Sequence, residues 1–82
     1  MQGRRLPDGE PHFSEIRPGD YWRDPHGTWY AMTPNQLQAN LRGHTVVEHE
    51  DGTISATPSI LVNRGMNPSW HGYLERGIWR TC

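Results

Sequence analysis

The sequence predicts an α+β fold, with three antiparallel β-hairpins forming a curved sheet and one short α-helix, at about residues 34–42, covering it. Three observations carry this reading. Turn-forming clusters at Asp24-Pro25-His26-Gly27, Asp51-Gly52 and Arg76-Gly77 each separate two extended runs of aromatic or β-branched residues. Thr33-Pro34-Asn35-Gln36 reads as a capping box ahead of Leu37 and Leu41, which lie four apart on one helical face. Four tryptophans and three tyrosines supply a core large enough for a chain of 82 residues. A chain of this length buries only ~60% of its unfolded surface. Each aromatic removes on the order of 150–250 Å² from water.

Residues 1–18 hold Pro7, Gly9, Pro11 and Pro18, too many breakers for regular structure. They read as an extended, partly flexible arm anchored by Phe13 and Ile16, ahead of a single β-rich domain over 19–82. Pro25 suits the second position of a type I turn, Asp24 the first and Gly27 the fourth. With Pro25-His26 as the loop, Trp22 faces Trp29 and Tyr21 faces Tyr30; a bulge at Gly27 shifts the pairing by one. In the next stretch Thr33 caps a helix, Pro34 takes its first position and Gly43 ends it. Two or three turns are marginal alone, so Leu37 and Leu41 must pack on the sheet.

Asp51-Gly52 between extended runs signals a two-residue hairpin turn. That turn pairs Glu50 with Thr53, His49 with Ile54, Glu48 with Ser55 and Val47 with Ala56. Val47, Ile54 and Ala56 then share the buried face, while Glu48 and Glu50 face water. Ser59–Val62 reads as a short buried segment and Asn63–Pro68 as an exposed loop. The final hairpin runs through Trp70–Arg80 and turns at Gly77. Trp29 and Trp79 are expected to be largely buried.

Composition excludes several function classes. Net charge is −1, carried on the basic side by eight arginines and no lysine, which counts against a general polyanion or nucleic-acid binder. An arginine-only chain fits either a high-GC coding source or selection of guanidinium forks for carboxylate and phosphate. One cysteine, Cys82, rules out a disulfide within the chain. No apolar run approaches the ~20 residues of a membrane span, and the polar start lacks a signal peptide's apolar stretch. A cytoplasmic protein is the expectation.

No constellation for catalysis is legible, and neither a catalytic residue nor a cofactor is assigned. The five histidines, His12, His26, His44, His49 and His71, carry no local ligand motif such as CxxC or HExxH. His44 and His49 fall on opposite faces of one strand. His49, His71 and Cys82 share an ion only where the fold gathers them. Otherwise His49 and His71 bond backbone carbonyls near the core edge. Glu48 and Glu50 lie ~7 Å apart on a solvated strand face, with nothing nearby to make either a general acid. Ser55, Ser59 and Ser69 have no nucleophile-elbow context. Tyr21-Trp22-Arg23 and Trp79-Arg80 read either as a base-stacking platform or as core tryptophans bracketed by surface arginines.

The run Val46–Ile54, then Pro58-Ser59-Ile60, then Trp70-His71-Gly72-Tyr73-Leu74-Glu75-Arg76-Gly77-Ile78-Trp79 resembles small uncharacterised proteins of actinobacteria and their phages. It covers about half the chain, and that group implies no activity. The ending is more distantly similar to a broader family of unknown function whose members carry extra Cys and His suggestive of zinc. This sequence lacks those cysteines between Ile60 and Trp70 and keeps only His71 at about the matching place, so no metal ligand is assigned.

The function these readings favour is a small non-catalytic accessory protein, of phage or prophage type, that binds a host or phage protein. Near-neutral charge also permits self-association. The alternatives are a metal- or histidine-dependent enzyme and a nucleic-acid-binding module. Arg64, Met66, Trp70 and His71 form the candidate binding surface, since recognition concentrates on loops and Arg, Met and Trp are enriched at interfaces. The strand face of Glu48 and Glu50 is the alternative.

Overall fold

The computed structural model describes residues 1–82 and is almost wholly β, with one 3-10 turn at Phe13–Glu15. Strands β1 (Arg4–Arg5), β2 (Asp20–Arg23), β3 (Trp29–Met32) and β4 (Gln38–Asn40) form one sheet in sequence order. Strands β5 (Thr45–Glu48), β6 (Ile54–Val62), β7 (Trp70–Glu75) and β8 (Ile78–Thr81) form the second. Only β1 and β2 run parallel; every other neighbouring pair is antiparallel. The α+β expectation is therefore overturned.

The predicted helix at 34–42 is a tight turn followed by β4. Gln36 N–H donates to the Thr33 carbonyl at 2.9 Å, and Leu37 N–H donates to Thr33 Oγ1 at 2.9 Å. Thr33 and Pro34 thus cap a turn with the chemistry that caps a helix, because Pro suits both the first helical position and the second turn position. Beyond the turn the period decides. Ala39 and Leu41 are buried and Leu37 is half-buried, while Gln38 and Asn40 point to water. Apolar groups at 37, 39 and 41 satisfy a strand against β3, and a helix of nine residues has too few hydrogen bonds to compete.

Both sheets feed one core. Tyr21, Ala31 and Ala39 from the first sheet, with Leu41, meet Ile54, Ala56, Ile60, Trp70, Leu74 and Trp79 from the second. The N-terminal arm joins the sheets edge to edge. On one side Gln2 bridges Ile78, and Gly3 N–H donates to the Gly77 carbonyl at 2.7 Å. On the other, Leu6 N–H donates to the Tyr21 carbonyl at 2.9 Å. Leu6 is buried, whereas Phe13, expected to anchor the arm, is 80% exposed.

Two registers correct the expected ones. At the first hairpin Arg23 pairs with Trp29, Trp22 with Tyr30 and Tyr21 with Ala31. This is the one-residue shift that a bulge at Gly27 produces, and Gly27 has φ of 86°. At the second, Glu48 pairs with Ile54, Val47 with Ser55 and Val46 with Ala56. The turn spans His49–Gly52, closed by Gly52 N–H to the His49 carbonyl at 2.9 Å, so Asp51-Gly52 is not its central pair. The longer turn slips the strand by one residue and reverses its faces. Val46 packs on the core and Val47 is 50% exposed.

Gly52 still needs its glycine, because φ of 85° is left-handed. Gly52→Val is expected to cost roughly 1–3 kcal/mol, seen as a lower urea midpoint at unchanged slope. β6 is one strand of nine residues rather than a turn partner plus a separate segment. Its ladder with β7 shifts between Ala56 and Ile60, where Pro58 has no N–H to donate.

Candidate binding surface

The four residues expected to form the site divide among three places. Residues 63–69, the loop from β6 to β7, are all exposed. Arg64 takes part in none of the ion pairs of the structure, and Met66 is 67% exposed. The loop has internal order. Met66 N–H donates to the Asn63 carbonyl at 2.9 Å, and Asn35 Nδ2 reaches across from the β3–β4 turn to the Ser69 carbonyl at 3.1 Å. Trp70 turns inward, only 6% exposed, with its ring edge-on to Trp79 at 5.2 Å and 81°. His71, the next residue on β7, points to the opposite face, where Nε2 lies 2.9 Å from Ser59 Oγ. Arg64 and Met66 therefore present a surface that Trp70 does not share.

The alternative surface also divides. Glu50 stands exposed in the β5–β6 turn, but Glu48 is bound within a network that sequence reasoning missed. Arg5 from β1 donates to Glu48 and, at 2.9 Å, to Asp8. Arg23 from β2 donates to Asp8 at 2.7 Å and lies 3.5 Å from Glu48. Both guanidinium groups lie over the Trp29 ring, Arg5 at 5.0 Å and Arg23 at 5.2 Å from its centroid. Trp29 is thus half-buried rather than largely buried, covered by the arginines that link the first sheet to the edge strand β5. The partners lie up to 43 residues apart, and no local motif announces them.

The network has a pH signature. Hydrogen bonds from Arg23 and then Arg5 hold the Asp8 carboxyl below the ordinary range, and a hydrogen bond from Arg5 does the same for Glu48. Asp51 is lowered as well, first by the Thr53 hydroxyl and then by its backbone N–H. A carboxylate with a depressed folded value binds protons more weakly folded than unfolded. Its stabilisation is complete above the unfolded value, near ~4, and disappears as pH falls through the folded value. The melting temperature is expected to fall as pH drops below about 4.5, by a modest amount because these carboxylates are solvent-exposed. Glu48→Gln should melt lower at pH 7 and show a shallower acid limb. The pairs are partly solvated, so added salt should narrow the neutral-pH difference.

The histidines serve separate elements. His12 Nδ1 accepts from Ser14 N–H and caps the 3-10 turn. His44 Nε2 lies 3.2 Å from the Ser59 carbonyl; a carbonyl only accepts, so Nε2 carries the proton. Nδ1 of His44 is then a buried acceptor without a partner. His49 and His71 meet serine hydroxyls of β6, Ser55 at 2.8 Å and Ser59 at 2.9 Å, in place of the expected carbonyls. Cys82 N–H donates to the His71 carbonyl at 3.0 Å, so Cys82 and His71 are neighbours, but His49 is not with them. No three His, Cys, Asp or Glu side chains converge in a metal-holding arrangement.

One further concavity lies on the outer face of the first sheet. Trp22 and Tyr30 are cross-strand neighbours there, rings 5.9 Å apart and tilted by 16°. Pro11, Phe13 and Ile16 of the arm rise beside them, and Glu10, Asp24 and Gln38 complete the lining. No helix of the structure is long and apolar enough to cross a membrane. No protein-family model, curated protein or solved structure matches this chain.

Proposed function

We propose that this chain is a small binding module without catalytic function, an accessory protein of phage or prophage type that works in the cytoplasm by gripping a host or phage protein. The observation that carries the reading is the β6–β7 loop: seven consecutive exposed residues that present an unpaired guanidinium, Arg64, beside the 67% exposed Met66. A free fork donor next to an adaptable apolar side chain is the pairing that interfaces enrich. The loop sits at the end of the β6–β7 hairpin, whose inward side chains Ile60, Trp70 and Leu74 belong to the core, so the scaffold beneath it is rigid. The net charge of −1 favours a protein over a nucleic acid as partner.

The double substitution Arg64→Ala with Met66→Ala is expected to leave the melting temperature nearly unchanged, because both side chains face water. It should weaken the complex by more than about tenfold, or ~1.4 kcal/mol. Tagged wild type and double variant, compared in parallel captures from host lysate, identify the partner, and calorimetry then measures the loss. A partner held equally by both proteins moves the site off the loop.

The Ser59–His71 contact favours a second reading, a histidine-dependent hydrolase. A nucleophilic serine needs its histidine oriented from behind, and the His71 ring makes its one side-chain hydrogen bond to Ser59 itself, with no carboxylate bonded to its other nitrogen. A fluorophosphonate probe separates the readings. Stoichiometric labelling lost in Ser59→Ala supports the hydrolase, and an unlabelled protein supports the binding module.

A further inference from the structure

We propose that the groove on the outer face of the first sheet binds an extended, proline-rich peptide segment carrying a basic residue. Strand alternation places Trp22 and Tyr30 on the opposite face of the sheet from the core residues Tyr21 and Ala31. Their rings stack on each other, and with Trp22 only 4% exposed it is the half-buried Tyr30, backed by Trp22, that forms the accessible aromatic floor. The arm supplies a wall. Phe13 stands 80% exposed on the 3-10 turn, its ring stacked on His12 at 4.7 Å. An exposed phenylalanine beside an aromatic floor is surface that a partner gains by covering.

Charge and shape select the occupant. Glu10 and Asp24 are the charged groups of the lining, and neither belongs to an ion pair of the structure. Asp24 Oδ1 accepts from His26 N–H and Thr28 N–H, both at 2.9 Å, which fixes the carboxylate in place. No basic side chain shares the groove. The field within it therefore favours a cation, and the exposed Phe13 ring with the half-buried Tyr30 ring reinforces this. A polyproline II segment arrives already extended and loses little entropy on docking; its pyrrolidine rings pack flat on aromatic rings, and a flanking Arg reaches the carboxylates. The β6–β7 loop belongs to the second sheet, so this site stands or falls independently of the one proposed above.

The test uses the full chain and three synthetic peptides, Arg-Pro-Leu-Pro-Pro-Leu-Pro and its analogues with Glu or Gly in place of Arg. Two-dimensional NMR of the labelled protein should show saturable shifts at Phe13, Trp22 and Tyr30 with the Arg peptide, and far weaker ones with the Glu peptide. Phe13→Ala should weaken binding about fivefold or more without changing the fold, since the side chain lies in water. Glu10→Gln with Asp24→Asn should weaken the Arg peptide by a similar factor and leave the Gly peptide unaffected. Arg64→Ala with Met66→Ala should bind the Arg peptide as wild type does. Absence of saturable shifts at millimolar peptide, equal binding of the Arg and Glu peptides, or shifts confined to residues 63–69 would each overturn the proposal.

Discussion

Replacing Trp79 with alanine is expected to cost about 3–5 kcal/mol and to leave the chain largely unfolded at physiological temperature. Trp79 is 2% exposed and belongs to the core that both sheets share. Its ring meets Trp70 edge-on, and its backbone pairs with Leu74 of β7. On its other side Trp79 N–H donates to the Met1 carbonyl at 2.8 Å, and Nε1 donates to the Gly19 carbonyl at 2.9 Å. One residue, through its backbone and its indole together, therefore ties β8, the arm and the start of β2. The indole also explains Gly3, where a Cβ would stand 2.6 Å from the Gly19 carbonyl and 2.9 Å from Nε1. Trp79→Phe separates the two contributions. It keeps most of the buried area and loses the Nε1 hydrogen bond, at a cost of about 1 kcal/mol plus the change in fit. Urea denaturation followed by far-UV circular dichroism measures both variants. A Trp79→Ala midpoint within error of wild type would show that the sheets hold together by other means.

Gly72→Ala is expected to destabilise at least as strongly, by roughly 3 kcal/mol or more, at the upper end of overpacking. A Cβ at this position would stand 2.2 Å from the Arg80 carbonyl and 2.4 Å from the Trp70 ring. The first contact is backbone of the neighbouring strand, so relief requires moving β8 itself. The second displaces the indole, and with it the contact to Trp79. Gly72 is needed for space and not for φ: the Trp70 ring folds back over the inward position two residues along its own strand. Trp70→Leu combined with Gly72→Ala should recover part of the loss, because the ring that fills the space is gone. Full stability of Gly72→Ala by thermal melting would contradict this packing.

The candidate site was legible only in part. Composition and turn signals marked Asn63–Pro68 as an exposed loop, and the structure places Arg64 and Met66 in water there. Trp70 reads identically as a binding anchor or as core in sequence, because an aromatic residue at a loop end serves both. Only the strand that follows, and its alternation against Trp79, turns it inward. Glu48 looked solvated because its neighbours in the chain are polar. Its guanidinium partners are Arg5 and Arg23, which lie on strands of the other sheet and far away in the chain. The outer groove was likewise invisible, since its floor belongs to β2 and β3 and its wall to the arm.

The reversals near Asp24–Gly27, Asp51-Gly52 and Arg76-Gly77 were legible in the residues alone, because they rest on side chains that carry their own conformational preference, although the second turn proved to span His49–Gly52. Gly27, Gly52 and Gly77 all adopt positive φ, as short-range chemistry requires. The tertiary structure alone decided the register and the fate of residues 34–42. A turn one residue longer exchanges Val46 for Val47 at the core, and it is packing against the assembled core that selects Val46. Thr33-Pro34 opens a helix or a turn equally well, and the balance is set by Ala31 and Ala39, paired across β3 and β4 and buried in the core that the second sheet shares. Burial is a property of the assembled sheets, and a nine-residue helix has too little internal hydrogen bonding to resist it.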